Sequence, residues 1–214
     1  MPMYFSIDIE CSRKNIYKNI MRDFYKTLEK NGLIFKSGFM EFKKDSLEET
    51  ILWNQKKLED NFELGYSEHC SHDYKQILFD FAGLSETRMY IMNDRKKRIF
   101  IFHIIIPEDD LQVWDDGHAI YGSCKFKMIL QLIENIWEQP YIDLIQTSLE
   151  LSGPPSLNDI VEGEFPCAEP FAILPKNISV NNLKDEYNIY ETPRAGMVLI
   201  SKIYTNNKNT YYNS

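Results

Sequence analysis

Strict alternation of apolar and polar residues marks the first element of the chain. Over residues 3–10, apolar side chains occupy the odd positions and polar side chains or tyrosine the even ones. This period of two predicts a half-buried strand. The apolar positions that follow recur at helical spacing: Ile16, Ile20, Phe24 and Leu28. We expect a helix capped by Ser12 and stopped by Gly32, then a second strand over residues 33–42.

A run of eight residues, Ile99 to Ile106, is apolar except for His103. Because both faces of such a strand are apolar, it is predicted to lie in the middle of a sheet. Residues 87–92 form another strand-like segment, and the polar residues 93–97 between the two are of hairpin length. A central pair of strands is therefore expected in this part of the chain.

Two further helices have clear signals. Ser46-Leu47-Glu48-Glu49 is a capping box that predicts a helix over residues 47–60, and an apolar stripe predicts another over residues 123–138. Shorter elements are predicted at 141–151 (strand), 156–161 (helix), 171–174 (strand) and 197–204 (strand). Together these elements predict an α+β fold: an antiparallel or mixed central sheet, helices packed mainly on one face, and a loop-rich, proline-containing C-terminal third.

Length and composition indicate one globular unit. The 214 residues, 43% hydrophobic and 26% charged, predict a single α+β domain over 1–204, with the Asn-rich residues 205–214 expected to fray. No segment resembles a signal peptide, and the longest apolar run is too short to cross a bilayer. The four cysteines are widely spaced, so we expect a cytoplasmic protein with reduced thiols and no membrane association.

The net charge of −8 is concentrated in one third of the chain. Residues 101–170 contain two lysines against thirteen acidic residues, a net charge of −11. Nucleic acid is an unfavourable partner for such a surface, because phosphates need basic groups. A one-signed patch instead favours a basic protein partner through electrostatic steering.

The acidic residues are densest in residues 108–116, which we call the acidic segment. Five carboxylates surround one tryptophan there, the composition of an interface anchor with a charged rim. The candidate binding residues are Glu108, Asp109, Asp110, Trp114, Asp115 and Asp116. The same composition also fits a solvated acidic turn, and Trp114 could equally cover the core.

Carboxylates beside a histidine could also bind a divalent cation. The candidate ligands are Asp109, Asp110, Asp115, Asp116 and His118, with His103 as a further participant. The order of these acids does not match an EF-hand loop, which needs ligands at alternate positions, a glycine at the sixth and a glutamate at the twelfth. A metal-assisted hydrolase is therefore kept as an alternative, and no cofactor is expected.

Other chemical motifs are weak. The cluster over residues 68–73 contains four metal-capable side chains but lacks the second Cys/His pair of a zinc site. His103 alone in an apolar strand is more typical of a neutral core residue than of a catalyst. The basic stripe on the first helix fits a solvated face, and we find no serine or cysteine nucleophile signature and no phosphate-binding glycine loop.

These observations favour a non-catalytic acidic binding protein over an enzyme. The sharpest example of the class is an immunity-type inhibitor that neutralises a basic toxin or nuclease. A metal-assisted hydrolase is the first alternative, and a self-associating structural module is the second.

Overall fold

A nine-stranded antiparallel sheet organises the computed structural model, which describes residues 3–62, 74–115, 118–149, 153–178 and 183–205. The strands of this sheet are β1 (Tyr4–Ser12), β2 (Ile34–Gly38), β3 (Ile77–Asp80), β4 (Thr87–Asp94), β5 (Ile99–Pro107), β8 (Leu144–Leu149), β9 (Phe171–Pro175), β10 (Tyr187–Glu191) and β11 (Gly196–Ser201). Their order across the sheet is β10-β11-β9-β8-β1-β5-β4-β3-β2. A separate hairpin pairs β6 (Gln112–Asp115) with β7 (His118–Tyr121).

The helices within the described residues are α1 (Ile20–Lys30), α2 (Leu47–Glu59), α3 (Glu108–Leu111), α4 (Ser123–Trp137), α5 (Leu157–Val161), α6 (Leu183–Glu186) and α7 (Lys202–Thr205). The fold is α+β, which confirms the predicted class. The central position predicted for the apolar run is also confirmed, because β5 pairs with β1 on one side and β4 on the other. No helix in the described ranges has the length and apolar character needed to cross a bilayer.

The main core lies between one face of the sheet and the longer helices. Alternate residues of β1, including Phe5, Ile7 and Ile9, belong to this buried cluster, as do α1, α2 and α4 side chains. Phe24 of α1 stacks on Phe102 of β5 with ring centroids 3.8 Å apart. The predicted helical stripe therefore covers the predicted central strand.

The opposite face of the sheet is covered at one end by short elements. A second apolar cluster there consists of Leu144, Ile160, Ala168, Ala172, Leu174, Leu183 and Leu199. It joins α5 and α6 to β8, β9 and β11. The proline-containing C-terminal third thus adds three strands to the sheet, of which β10 has no counterpart among the predicted elements.

The first helix begins later than its capping signal predicts. Ser12 accepts a hydrogen bond from the Lys14 backbone, but this closes only a short 3-10 turn over Arg13–Asn15, and α1 starts at Ile20. The backbone N–H of Arg13 donates a hydrogen bond to the carbonyl oxygen of Arg98, the residue before β5. This contact keeps the chain beside β5 before it turns into the helix.

Residues 108–115 of the acidic segment have regular secondary structure. Residues 108–111 form α3 directly after Pro107, and residues 112–115 form the first strand of the small hairpin. Three carboxylates in the first turn of α3 favour this helical turn, because its free N–H groups attract negative charge.

Arg194 links the β10–β11 hairpin to the end of α4. Its guanidinium donates hydrogen bonds to the carbonyl oxygens of Trp137, Pro140 and Ile142, at 2.5, 3.1 and 2.8 Å. It also lies 4.6 Å from the centroid of the Trp137 ring. Gly196 allows the Trp137 ring to pack against the backbone of β11, since a Cβ at this position would lie 2.3 Å from the indole nitrogen.

We predict that Arg194→Ala lowers the free energy of unfolding by roughly 2–4 kcal/mol, because three carbonyl groups lose a charged donor. Arg194→Lys should recover less than half of this loss, since an ammonium lacks the planar fork. Urea denaturation followed by circular dichroism measures both. Lys176→Ala, which breaks an exposed ion pair with Glu191, is the control and should cost under about 1 kcal/mol. A lysine variant as stable as the wild type would contradict this explanation.

Candidate functional site

On the face of the sheet opposite the main core, a groove of about 560 Å³ lies over β1, β4 and β5. We call it the open-face groove. Its lining residues are Tyr4, Ser6, Asp8, Tyr90, Met92, Ile101, His103, Ile105, Ser148, Leu149 and Pro154. Because side chains alternate along a strand, the even positions of β1 and the odd positions of β5 face this groove.

Three polar side chains form the floor of the groove. Asp8 is directly opposite His103 in the β1–β5 register, and its Oδ1 contacts His103 Nδ1. The Ser6 hydroxyl lies 3.4 Å from the other ring nitrogen, Nε2. All three residues are buried, with 8%, 5% and 9% exposure for Ser6, Asp8 and His103. A serine, a histidine and an aspartate are therefore joined in one buried chain of contacts.

Glu10 continues the polar row on β1. It is buried, and both of its carboxylate oxygens lie 3.2 Å from the Leu157 backbone nitrogen. Glu10 lines a smaller cavity of about 110 Å³ together with Asp94, Lys97 and Ser156, the N-cap of α5, and this cavity shares Asp8 with the open-face groove. The acidic row therefore extends beyond the open-face groove toward the start of β5.

Burial changes the protonation of Glu10. Desolvation raises the pKa of its carboxyl group from the ordinary value of 4.5 to about 7, although the Leu157 N–H lowers it. At neutral pH this side chain is therefore divided between its neutral and charged forms. A cation brought close to Glu10 would favour the charged form.

The described members of the acidic segment differ in exposure. Glu108 is buried, with 4% exposure, and accepts a hydrogen bond from the Gln112 side chain at 2.8 Å. Asp110 is half-buried and accepts two hydrogen bonds from Ser85, both at 2.7 Å. Asp109 is exposed. Of these three carboxylates, Asp109 is the one best presented to a partner.

Three of the remaining predicted binding and metal-ligating residues belong to the β6–β7 hairpin. Trp114, Asp115 and His118 are assigned to the β6–β7 hairpin by their backbone, while Asp116 lies outside the described residues. Within the described part of the chain, no three His, Cys, Asp or Glu side chains are arranged to hold a metal ion. The binding and metal assignments for these four residues remain predictions. The cluster over residues 68–73 also lies outside the described residues.

The acidic segment and the open-face groove meet at one end of β5. Tyr4, which lines the groove, pairs with Pro107, and the Glu108 backbone donates to the Met3 carbonyl. The exposed Asp109 follows two residues after Pro107. The acidic segment therefore begins where the groove-lining strand β5 ends.

A larger cavity of about 690 Å³ lies beside α1 and the C-terminal end of α4. Two pairs of its polar side chains are hydrogen-bonded to each other: Tyr17 donates to Asp23, and Asn135 donates to Asn31. It contains no histidine among its lining residues. We therefore place the candidate site at the open-face groove rather than here.

Sequence reasoning missed Ser6, Asp8 and Glu10 as members of a site. The available signal was the alternation of β1, which places these polar residues on the face opposite Phe5, Ile7 and Ile9. Their junction with His103 depends on a pairing between residues about ninety-five positions apart. His103 is buried as predicted, but it belongs to a polar cluster that single-residue arguments did not reveal.

His103 contacts a serine through Nε2 and an aspartate through Nδ1, which is the arrangement found in a hydrolytic Ser-His-Asp triad. Catalysis of acyl transfer also needs N–H donors aimed at the developing oxyanion. At Ser6, β1 pairs with β5 on one side and with β8 on the other. The backbone N–H of Ser6 is therefore engaged in strand pairing and is not available as such a donor.

Comparisons with known proteins are sparse. No protein-family model matches the chain, and no curated protein matches it. Among solved structures, the chain is similar to the Pseudomonas aeruginosa T6SS protein PA0821, with a TM-score of 0.36 and 9% sequence identity over 92% of this chain. The chain spans 65% of the length of that protein.

We predict that Glu10→Gln removes a pH-dependent component of stability. With its pKa raised to about 7, Glu10 binds a proton more tightly in the folded state, so the free energy of unfolding falls as pH rises from 4.5 to 7. Relative to the wild type, the glutamine variant should gain up to about 3 kcal/mol between pH 4 and pH 8. Urea denaturation across this range measures the difference. Parallel pH profiles for the two proteins would contradict the assignment.

Proposed function

We propose that this chain is a non-catalytic binding protein that docks a basic protein partner. The observation that carries the proposal is the open-face groove, whose floor holds the Asp8 carboxylate between aromatic and aliphatic walls. Interfaces place their anchors in such largely desolvated pockets, surrounded by a polar rim. A basic side chain of the partner supplies the complementary charge.

The acidic segment extends the same surface. Asp109 is exposed two residues after Pro107, which pairs with the groove-lining Tyr4, and residues 101–170 carry a net charge of −11. Charges outside a docking pocket accelerate encounter with an opposite-signed partner, while the buried pocket determines how long the complex lasts. We propose that Trp114, Asp115 and Asp116 belong to this outer surface.

The finer proposal is an immunity-type inhibitor that neutralises a basic toxin or nuclease. Such an inhibitor needs a preformed anionic surface and no catalytic step of its own. The uneven charge of the chain and the carboxylate in the groove are the features that support it. The Ser6–His103–Asp8 cluster has an orienting function in this proposal, because His103 fixes the Asp8 carboxylate.

We predict that Met92→Lys prevents docking, because it introduces an ammonium group on the wall of the groove. Leu52→Lys is the matched control, since Leu52 is 56% exposed on α2, on the helical side of the sheet. Each protein is immobilised and exposed to lysate of the encoding organism, and retained proteins are identified and then titrated individually by calorimetry.

The expected result is a basic protein retained by the wild type and by Leu52→Lys, with an affinity at least about 100-fold weaker for Met92→Lys, or about 3 kcal/mol. Circular dichroism verifies that both variants keep the fold. Equal affinity of the two variants for the retained protein would overturn the groove as its docking site.

A further inference from the structure

We infer that the group held in the open-face groove is the guanidinium of an arginine side chain from the partner. This inference rests on the proposed function, since it names the chemistry that fills the same groove. It follows from the charge of the floor, the chemistry of the walls and the burial of Asp8.

The floor of the groove carries the Asp8 carboxylate, whose Oδ1 contacts Nδ1 of His103. If the Ser6 hydroxyl donates to Nε2, the imidazole hydrogen lies on Nδ1 and is donated to Asp8. In that tautomer both ring nitrogens have partners, and the neutral imidazole does not cancel the charge of the carboxylate. Among the described residues, His103 is the one side chain that donates to this carboxylate, which leaves its second oxygen for a donor from outside.

The walls of the groove suit a flat cation. Tyr90 lies beside His103, with ring centroids 4.6 Å apart, and Tyr4 stands at the other end. The chain itself demonstrates this kind of contact on the same face: the Arg88 guanidinium lies 4.9 Å from the centroid of the Tyr4 ring and is balanced by Glu86 at 2.7 Å. A guanidinium stacks on aromatic faces more effectively than an ammonium does.

Burial separates arginine from lysine. Asp8 is 5% exposed, so a cation that reaches it must lose most of its water. Guanidinium is more weakly hydrated than ammonium and therefore loses less on entering the groove. Its planar donors can also contact the carboxylate while its stem packs on Ile101 and Ile105, which line the same groove.

The test uses three capped pentapeptides of sequence Gly-Gly-X-Gly-Gly, in which X is arginine, lysine or citrulline. Each is titrated into the isotopically labelled protein while NMR follows the ring signals of His103 and Tyr90. The arginine peptide should shift these signals saturably, with an affinity at least about tenfold above that of the lysine peptide. Citrulline, which has the shape of arginine without its charge, should leave them unchanged.

Three variants locate the contact. Asp8→Asn should weaken arginine binding at least about tenfold, whereas Asp60→Asn, which neutralises an exposed carboxylate at the end of α2, on the helical side of the sheet, should leave it within about twofold. Tyr90→Leu keeps the carboxylate and removes the aromatic wall, and it should reduce the preference for arginine over lysine. This third variant keeps the test decisive if Asp8→Asn disturbs the packing of His103.

Equal affinities for the arginine and lysine peptides, or shifts confined to signals outside the groove, would overturn the inference. The result with Met92→Lys separates this failure from that of the proposed function. If Met92→Lys still loses the basic partner, the groove docks that partner through another group and only the arginine assignment falls. If substitutions in the groove change neither the binding of the arginine peptide nor the binding of the basic partner, both proposals are wrong.

Discussion

The pairing of β1 between β5 and β8 is the constraint on which the rest of the structure depends. It gives the strand two faces of opposite character: Phe5, Ile7 and Ile9 enter the main core, while Ser6, Asp8 and Glu10 face the other side. A shift of one residue would exchange these faces and bury the carboxylates beneath the helices. The same register that builds the core therefore also assembles the candidate site.

Burial of polar groups on this second face is costly unless each is hydrogen-bonded. His103 contacts Asp8 and Ser6, and the Leu157 backbone contacts Glu10. An apolar row at the same positions would avoid this cost, as the cluster around Leu144 and Leu174 does farther along the same face. Local departures from an apolar interior are expected at functional sites, which supports a ligand-holding function for the polar row.

The sequence predicted those features that depend on local pattern. The apolar run of β5 identified the centre of the sheet, and the stripe containing Phe24 identified the helix that covers it. The groove was not predictable in this way, because it depends on which residue of β1 meets His103. The late start of α1 had a similar origin: the contact between Arg13 and Arg98 is non-local and overrides the capping signal of Ser12.

Site-specific photocross-linking tests the central claim, that the basic partner docks in the open-face groove, most directly. A benzophenone side chain is placed at Met92, in the groove, or at Leu52, on the helical side of the sheet, and each protein is irradiated with the partner bound. The account predicts a cross-link to the partner from position 92 and none from position 52. A cross-link from position 52 alone would contradict it and place the partner on the opposite side of the molecule.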